Sequence, residues 1–272
     1  MIRNTMHAGT FYPRFGEQIK KQIGEWLQDA ANPLAKERNL GLILPHAGYM
    51  YSGKCATLGL HSLSSEIVDT FVILHPSHHG IHFDYSLSPY TEYVNPLGSL
   101  KLDTELYNKL APHADQDISL SYHQNEHSME IQLPLISYFF PQAKILPIMI
   151  GNQIPQVAMN LAEQLYELVF KSTSRIILLC STDLSHYHNA TKAESMDGVL
   201  VDSVKALDPE ALWQAIRSER CEACGIGGIL SLLYFAKHYT NPVLRVIQYT
   251  HSGKVSGNNS QVVGYLAAKL YV

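Results

Sequence analysis

In Thr70-Phe71-Val72-Ile73-Leu74-His75-Pro76-Ser77-His78-His79-Gly80, a β-branched and apolar run leads directly into a polar cluster rich in histidine. A short run of this kind, closed by Pro and Gly, reads as a strand buried on both faces. The same junction occurs twice more. Leu40-Gly41-Leu42-Ile43-Leu44 runs into Pro45-His46-Ala47-Gly48-Tyr49, and Ile176-Ile177-Leu178-Leu179-Cys180 runs into Ser181-Thr182-Asp183-Leu184-Ser185-His186. Open α/β sheets bind ligands just beyond the carboxyl ends of their strands. If these three strands are parallel neighbours, the three clusters converge on one edge of the sheet.

Further strands are expected at Ile145–Ile150, Val243–Ile247 and Gln261–Leu266. Helical spacing fills the gaps. Ile19, Ile23, Trp26, Leu27 and Ala30 share one face, as do Val157, Leu161, Leu165 and Leu168. Asp208-Pro209-Glu210 reads as a capped helix start, and Pro33 stops the first helix. Strands alternating with helices predict an α/β fold with a mostly parallel mixed sheet covered on both faces. Tyr85–Pro96 breaks the pattern and is expected to be a partly exposed antiparallel strand or an excursion from the sheet. With no repeat, linker or charge block, residues 1–272 read as one domain.

Of the 272 residues, 46% are hydrophobic and 16% charged, enough for a large core and unlike a disordered chain. A net charge of -4 without a Lys/Arg stripe argues against a nucleic-acid partner. No run is long enough to span a bilayer, and the N-terminus lacks the apolar block of a signal peptide, so a cytoplasmic location is expected. Four scattered cysteines do not make a disulfide framework.

Imidazole is the commonest ligand for transition metals and the best acid/base near neutral pH. Two histidines from separate loops plus one anionic side chain can hold a metal and leave positions open. His75 and His79 flank His78, and spacing does not say which points inward. Asp183 and His186 read as a ligand, an acid/base pair, or a carboxylate orienting an imidazole. Cys221-Glu222-Ala223-Cys224 is a lone Cys-x-x-Cys pair. Its second thiol is expected at a helix N-terminus, where the dipole would stabilise a thiolate suited to metal binding or nucleophilic attack; a small buried thiol is the plainer reading. In His127-Ser128-Met129-Glu130 an imidazole and a carboxylate fall on one helix face beside His123, which suggests a structural hydrogen bond or support of a site. No Gly-x-Ser-x-Gly elbow is present, which argues against an α/β-hydrolase.

Six strings, in order, resemble the Memo family, known in bacteria and archaea as AmmeMemoRadiSam system protein B. They are His7-Ala8-Gly9-Thr10-Phe11-Tyr12, Pro45-His46-Ala47-Gly48-Tyr49, Pro76-Ser77-His78-His79, Glu126-His127-Ser128-Met129-Glu130, Ser181-Thr182-Asp183-Leu184-Ser185-His186 and Cys224-Gly225. The resemblance implies a single-domain, three-layer α/β/α fold like that of class III extradiol dioxygenases. It implies a transition metal, Fe(II) first, with copper or zinc as alternatives, between residues that look like His46, His78 and Cys224. Asp183 and His186 look like the remaining pocket residues, His186 as acid/base. The dioxygenases use a carboxylate where Cys224 stands, and the softer thiolate favours copper(I), zinc or a different iron chemistry over ring opening. The implied function is a metal-dependent oxidoreductase acting on a small molecule or within a radical SAM-associated pathway, with AMMECR1-domain and radical SAM proteins as partners. The alternatives are a non-catalytic metal- or peptide-binding protein using the same pocket, and a hydrolase with Cys224 as nucleophile.

Overall fold

The computed structural model describes residues 1–30, 33 and 37–272. Its strands are β1 (Ile2–Arg3), β2 (Asn39–Leu44), β3 (Thr70–Pro76), β4 (Tyr85–Leu87), β5 (Glu92–Asn95), β6 (Gly98–Lys101), β7 (Lys144–Ile150), β8 (Ile176–Ser181), β9 (His186–His188), β10 (Val243–His251) and β11 (Val262–Tyr271). Its α-helices are α1 (Gly16–Trp26), α2 (Lys54–His61), α3 (Thr104–Leu110), α4 (Leu120–Asn125), α5 (His127–Glu130), α6 (Gln132–Phe139), α7 (Pro155–Phe170), α8 (Ala190–Lys205), α9 (Pro209–Arg217), α10 (Ile226–Ala236) and α11 (Gly253–Ser256).

The main sheet runs β10-β11-β2-β8-β3-β7-β4, with β9 added beside β11. Its four central strands are parallel, in register Leu42 with Leu179, Leu178 with Val72, and Val72 with Leu146. These are the apolar runs, and Leu42, Ile43, Phe71, Ile73, Leu178 and Leu179 are fully buried. Burial on both faces is why they read as continuous rather than alternating. The edges are antiparallel, at β10 with β11, β11 with β2, and β4 with β7, so the sheet is mixed. Helix α2 packs on β2, β10 and β11, whereas α10 packs on β3 and β8 and carries α7 against it.

Two crossovers fix where a site can form. The chain passes from β2 through α2 to β3, and later from β7 through α7 back to β8, which slots between β2 and β3. The strand order therefore reverses at β8, the kind of switch point where a crevice opens beyond the strand ends. The three polar clusters follow these three adjacent strands.

Local signals act as their chemistry dictates. Asp208 caps α9 by accepting from the Ala211 N–H at 2.9 Å, ahead of Pro209. Helix α1, by contrast, stops at Trp26, seven residues short of Pro33, so Leu27 and Ala30 lie beyond it and Pro33 is not what ends it. The Tyr85–Pro96 stretch contains an antiparallel strand and an excursion: β4 is an antiparallel edge strand, and β5 leaves to join β1 and β6 in a small second sheet. β4 is buried rather than exposed, because the chain around His123 covers it and the Ser86 hydroxyl pairs with His123 Nε2 at 3.1 Å. Among the described residues, no helix is long and apolar enough to cross a membrane.

Candidate metal centre

His46 leaves the end of β2 with both faces buried. Its ring Nδ1 lies 3.1 Å from the Ser181 hydroxyl at the end of β8. That hydroxyl has one proton and gives it to the Ser128 carbonyl at 2.6 Å, while it accepts from Gln132 Nε2 at 2.9 Å. Gln132 is itself oriented, because the same nitrogen donates to the Pro45 carbonyl at 2.9 Å. Ser181 can therefore only accept from His46, which puts the imidazole proton on Nδ1 and a lone pair on Nε2. Burial, aided by the nearby His78, pulls His46 down to about 3, so the ring is neutral and ready to ligate.

His78 follows β3 and is the histidine of its cluster that faces His46; the ring centroids are 5.5 Å apart and perpendicular. His75 is buried against Ser128, and His79 stacks on Tyr122. His78 Nδ1 donates to Glu126 Oε1 at 2.8 Å, and its backbone N–H donates to Oε2 at 2.7 Å. This again leaves Nε2 with the free lone pair, and a carboxylate behind a ligating histidine fixes its orientation and raises its basicity. Burial pulls the His78 ring down, but the hydrogen bond and charge of Glu126 outweigh it and hold the ring above the ordinary histidine range. Glu126 caps the short helix α5 from a fully buried position. Glu126→Gln keeps the shape and removes the charge; its metal affinity should fall roughly 10- to 100-fold by equilibrium titration.

Cys224 comes from the turn ahead of α10. Its Sγ lies 3.2 Å from His46 Nε2 and accepts the Asp183 N–H at 3.2 Å. Gly225 makes the approach possible, since a Cβ there would stand 2.6 Å from the Ser181 carbonyl oxygen and 2.7 Å from Thr182 Cβ. Gln153 clamps the turn, donating to the Cys224 carbonyl at 2.8 Å and accepting from the Gly227 N–H at 2.9 Å. The expected dipole-stabilised thiolate is not what the fold provides. Helix α10 starts at Ile226 with Gly225 as its cap, so Cys224 precedes the first turn. Burial and then the Asp183 charge push the metal-free thiol up to about 12.

One nitrogen each of His46 and His78 and the sulfur of Cys224 lie within 4.8 Å of one another. His78, Glu126 and His127 form a second group as compact. Its carboxylate is already engaged by His78 and by the Ser128 N–H and hydroxyl, at 3.1 and 2.9 Å, so this group acts as a brace. Asp183 is buried beside the centre and accepts the N–H groups of His46 and Ala47 at 2.8 and 3.3 Å. Burial raises it to about 6. His186 begins β9; its backbone N–H donates to Glu222 Oε2 at 3.2 Å. Its imidazole lies near enough for a charge on it to act on both His46 and Asp183, and among the described residues its ring nitrogens have no hydrogen-bond partner.

The His127–Glu130 pair does not share a face as expected. Glu130 turns away to Arg3 and Tyr12, whereas the His127 ring lies 4.6 Å from His78 and 5.3 Å from His46, under Phe11 at 4.9 Å. The helix is a single turn tied at both ends to different partners. Cys221 is buried apart from the centre.

The family model described as Memo-like protein matches residues 3–269. The chain belongs to the Memo family. A MEMO1 family protein of Sulfurisphaera tokodaii is 35% identical over 283 aligned positions, covering 99% of each chain, and one of Sulfolobus acidocaldarius is 36% identical with the same coverage. The crystal structure of uncharacterized protein JW3007 from Escherichia coli K12 aligns with a TM-score of 0.46 and 12% identity over 85% of this chain and 99% of that one.

Proposed function

We propose that this Memo protein is a metal-dependent oxidoreductase acting on a small molecule, with a transition metal, Fe(II) first, held by His46, His78 and Cys224. The observation that carries the reading is the pinning of both rings from behind. Ser181 and Glu126 take the Nδ1 protons, so the lone pairs of two Nε2 atoms meet one sulfur. Two nitrogens and a soft thiolate suit iron, copper or zinc and do not suit magnesium or calcium. When bound, an iron or copper ion supplies one-electron and O₂ chemistry.

The chain's own residues do the rest. His186, whose ring nitrogens have no hydrogen-bond partner among the described residues, exchanges a proton with the bound molecule. Asp183 holds the His46–Ala47 backbone in place and sets the local charge. The side chain of His78, a third exposed, marks the mouth through which a ligand enters. As the family resemblance implies, the reaction belongs beside AMMECR1-domain and radical SAM proteins. A second reading, non-catalytic metal or peptide binding, is favoured by the sulfur donor, which suits retention of copper(I) or zinc.

The test is elemental analysis of protein purified without oxygen. The expected result is about one transition-metal ion per chain, lost in both His46→Ala and Cys224→Ala. Absence of stoichiometric metal in the wild type, or unchanged content in the variants, would overturn the reading. O₂-dependent product formation separates the oxidoreductase from the binding protein.

A further inference from the structure

Strand β9 pairs with β11 through His186 opposite Val263 and His188 opposite Val262, with the register shifting between them. Tyr187 is the extra residue, so the pairing contains a bulge. Its backbone is left-handed, with φ of 61°. Bulge positions of this hand are taken by glycine, and a bulky residue there is strained. The other non-glycine residues with positive φ, Leu207, Glu219 and Asn241, follow a helix or sit in a turn. Among the described residues, Tyr187 is the one inside a strand.

The bulge is held firmly. Glu222 accepts the His186 N–H at 3.2 Å and pairs with His188 Nε2 at 2.9 Å. Glu222 lies two residues before Cys224, so the segment that carries the sulfur also fixes this bulge. The ring itself has little support. Tyr187 is 72% exposed, its hydroxyl has no partner among the described residues, and its one aromatic neighbour is His186, edge-on at 5.8 Å. A glycine would build the same bulge without strain, so neither folding nor re-aiming His186 calls for a tyrosine. Residues kept in strained backbone without a packing return collect at ligand clamps.

We propose that Tyr187 is a substrate-contacting platform beside His186 and that the group it stacks against is a planar ring. A flat exposed π-face beside an imidazole edge recognises a ring by offset or edge-to-face stacking. This rests on the reading that a small molecule binds beside His46, His78 and Cys224.

The test uses the full-length, metal-loaded protein with Tyr187→Gly, Tyr187→Asn and Tyr187→Phe. The probes are phenol, catechol and benzoate, with cyclohexanol and cyclohexanecarboxylate as saturated controls, followed by ligand-observed NMR. Wild type and Tyr187→Phe should bind the aromatic probes in preference to the saturated ones. Tyr187→Gly and Tyr187→Asn should lose about tenfold in that affinity. Metal content should stay unchanged, which separates failure of this inference from failure of the metal centre. The thermal midpoints of the Gly and Asn variants should hold or rise by roughly 1–3 °C, as strain is relieved. No aromatic preference in the wild type, aromatic binding unchanged in Tyr187→Gly, or a lowered midpoint in both relieved variants would overturn the proposal.

Discussion

Arg3→Ala is expected to destabilise the protein by about 3–5 kcal/mol, the cost of leaving a buried carboxylate without its partner. Arg3 is 1% exposed and reaches Glu130 Oε2 at 2.6 Å, with Glu130 fully buried. The same guanidinium donates to the carbonyls of His123, Gln124 and Glu126 at 3.1, 2.8 and 3.0 Å. Glu130 in turn accepts the Tyr12 hydroxyl at 2.6 Å and the N–H groups of Met6 and His7 at 3.0 and 2.8 Å. One ion pair thus staples the N-terminal segment to the turn that carries Glu126 and His127.

The pH dependence has a definite sign. Burial raises the Glu130 carboxyl, but the Arg3 charge and the Tyr12 hydrogen bond outweigh it and hold it below the usual carboxylate range. A depressed carboxylate stabilises the fold above its unfolded value, and that stability is lost as pH falls through the folded value. Without Arg3, burial dominates and Glu130 takes up a proton more readily. The gap between wild type and Arg3→Ala should therefore be largest at neutral pH and shrink in acid. Urea unfolding followed by circular dichroism at several pH values checks this; a gap that widens in acid would mean Glu130 is not the group responsible. Conversion of both partners to apolar residues should cost less than Arg3→Ala alone, because no orphaned charge remains.

The central sheet was legible because strands buried on both faces need unbroken apolar runs, and β2, β3 and β8 have them. The edge strands were less so. β10 has mixed exposure and β11 ends in residues such as Lys269, whose amine pairs with Glu37 at 3.0 Å. A charged residue in a strand weakens the pattern unless its distant partner is known. At the centre, the strand-end clusters pointed to His46 and Asp183 through position alone. The choice of His78 over His75 and His79 depends on Glu126, which is 48 residues away in sequence and recognises only His78. Gln132 carried no signal, and Ser181 stood out only as part of its string, since a serine and a glutamine are ordinary until a proton count shows what they fix. His127 was visible as an imidazole beside a carboxylate, but its partner is Glu126 on one side and the other histidines on the other. The helix-start argument for Cys224 missed because α10 begins two residues later, at Ile226, and desolvation beside Asp183 pushes the thiol the other way.

That failure makes the last expectation a specific one. A metal binds thiolate, and the metal-free Cys224 thiol sits at about 12, so binding at neutral pH must expel its proton. His46, at about 3, has no proton to give up there. Apparent metal affinity should therefore rise about tenfold for each unit of pH through the neutral range, with roughly one proton released per ion. Below the raised His78 value the slope should steepen, because that imidazole must then lose a proton too. Calorimetric titration in buffers of different ionisation enthalpy counts the protons directly. Above the raised His78 value, where that imidazole is already neutral, Cys224→Ala should abolish the release, and it should weaken binding more than about a hundredfold, beyond what a lost outer partner costs. His46→Ala should weaken binding as severely while the proton is still released, since the sulfur remains. Proton release that persists in Cys224→Ala above the His78 value would place the titrating ligand elsewhere and remove the thiolate from the centre.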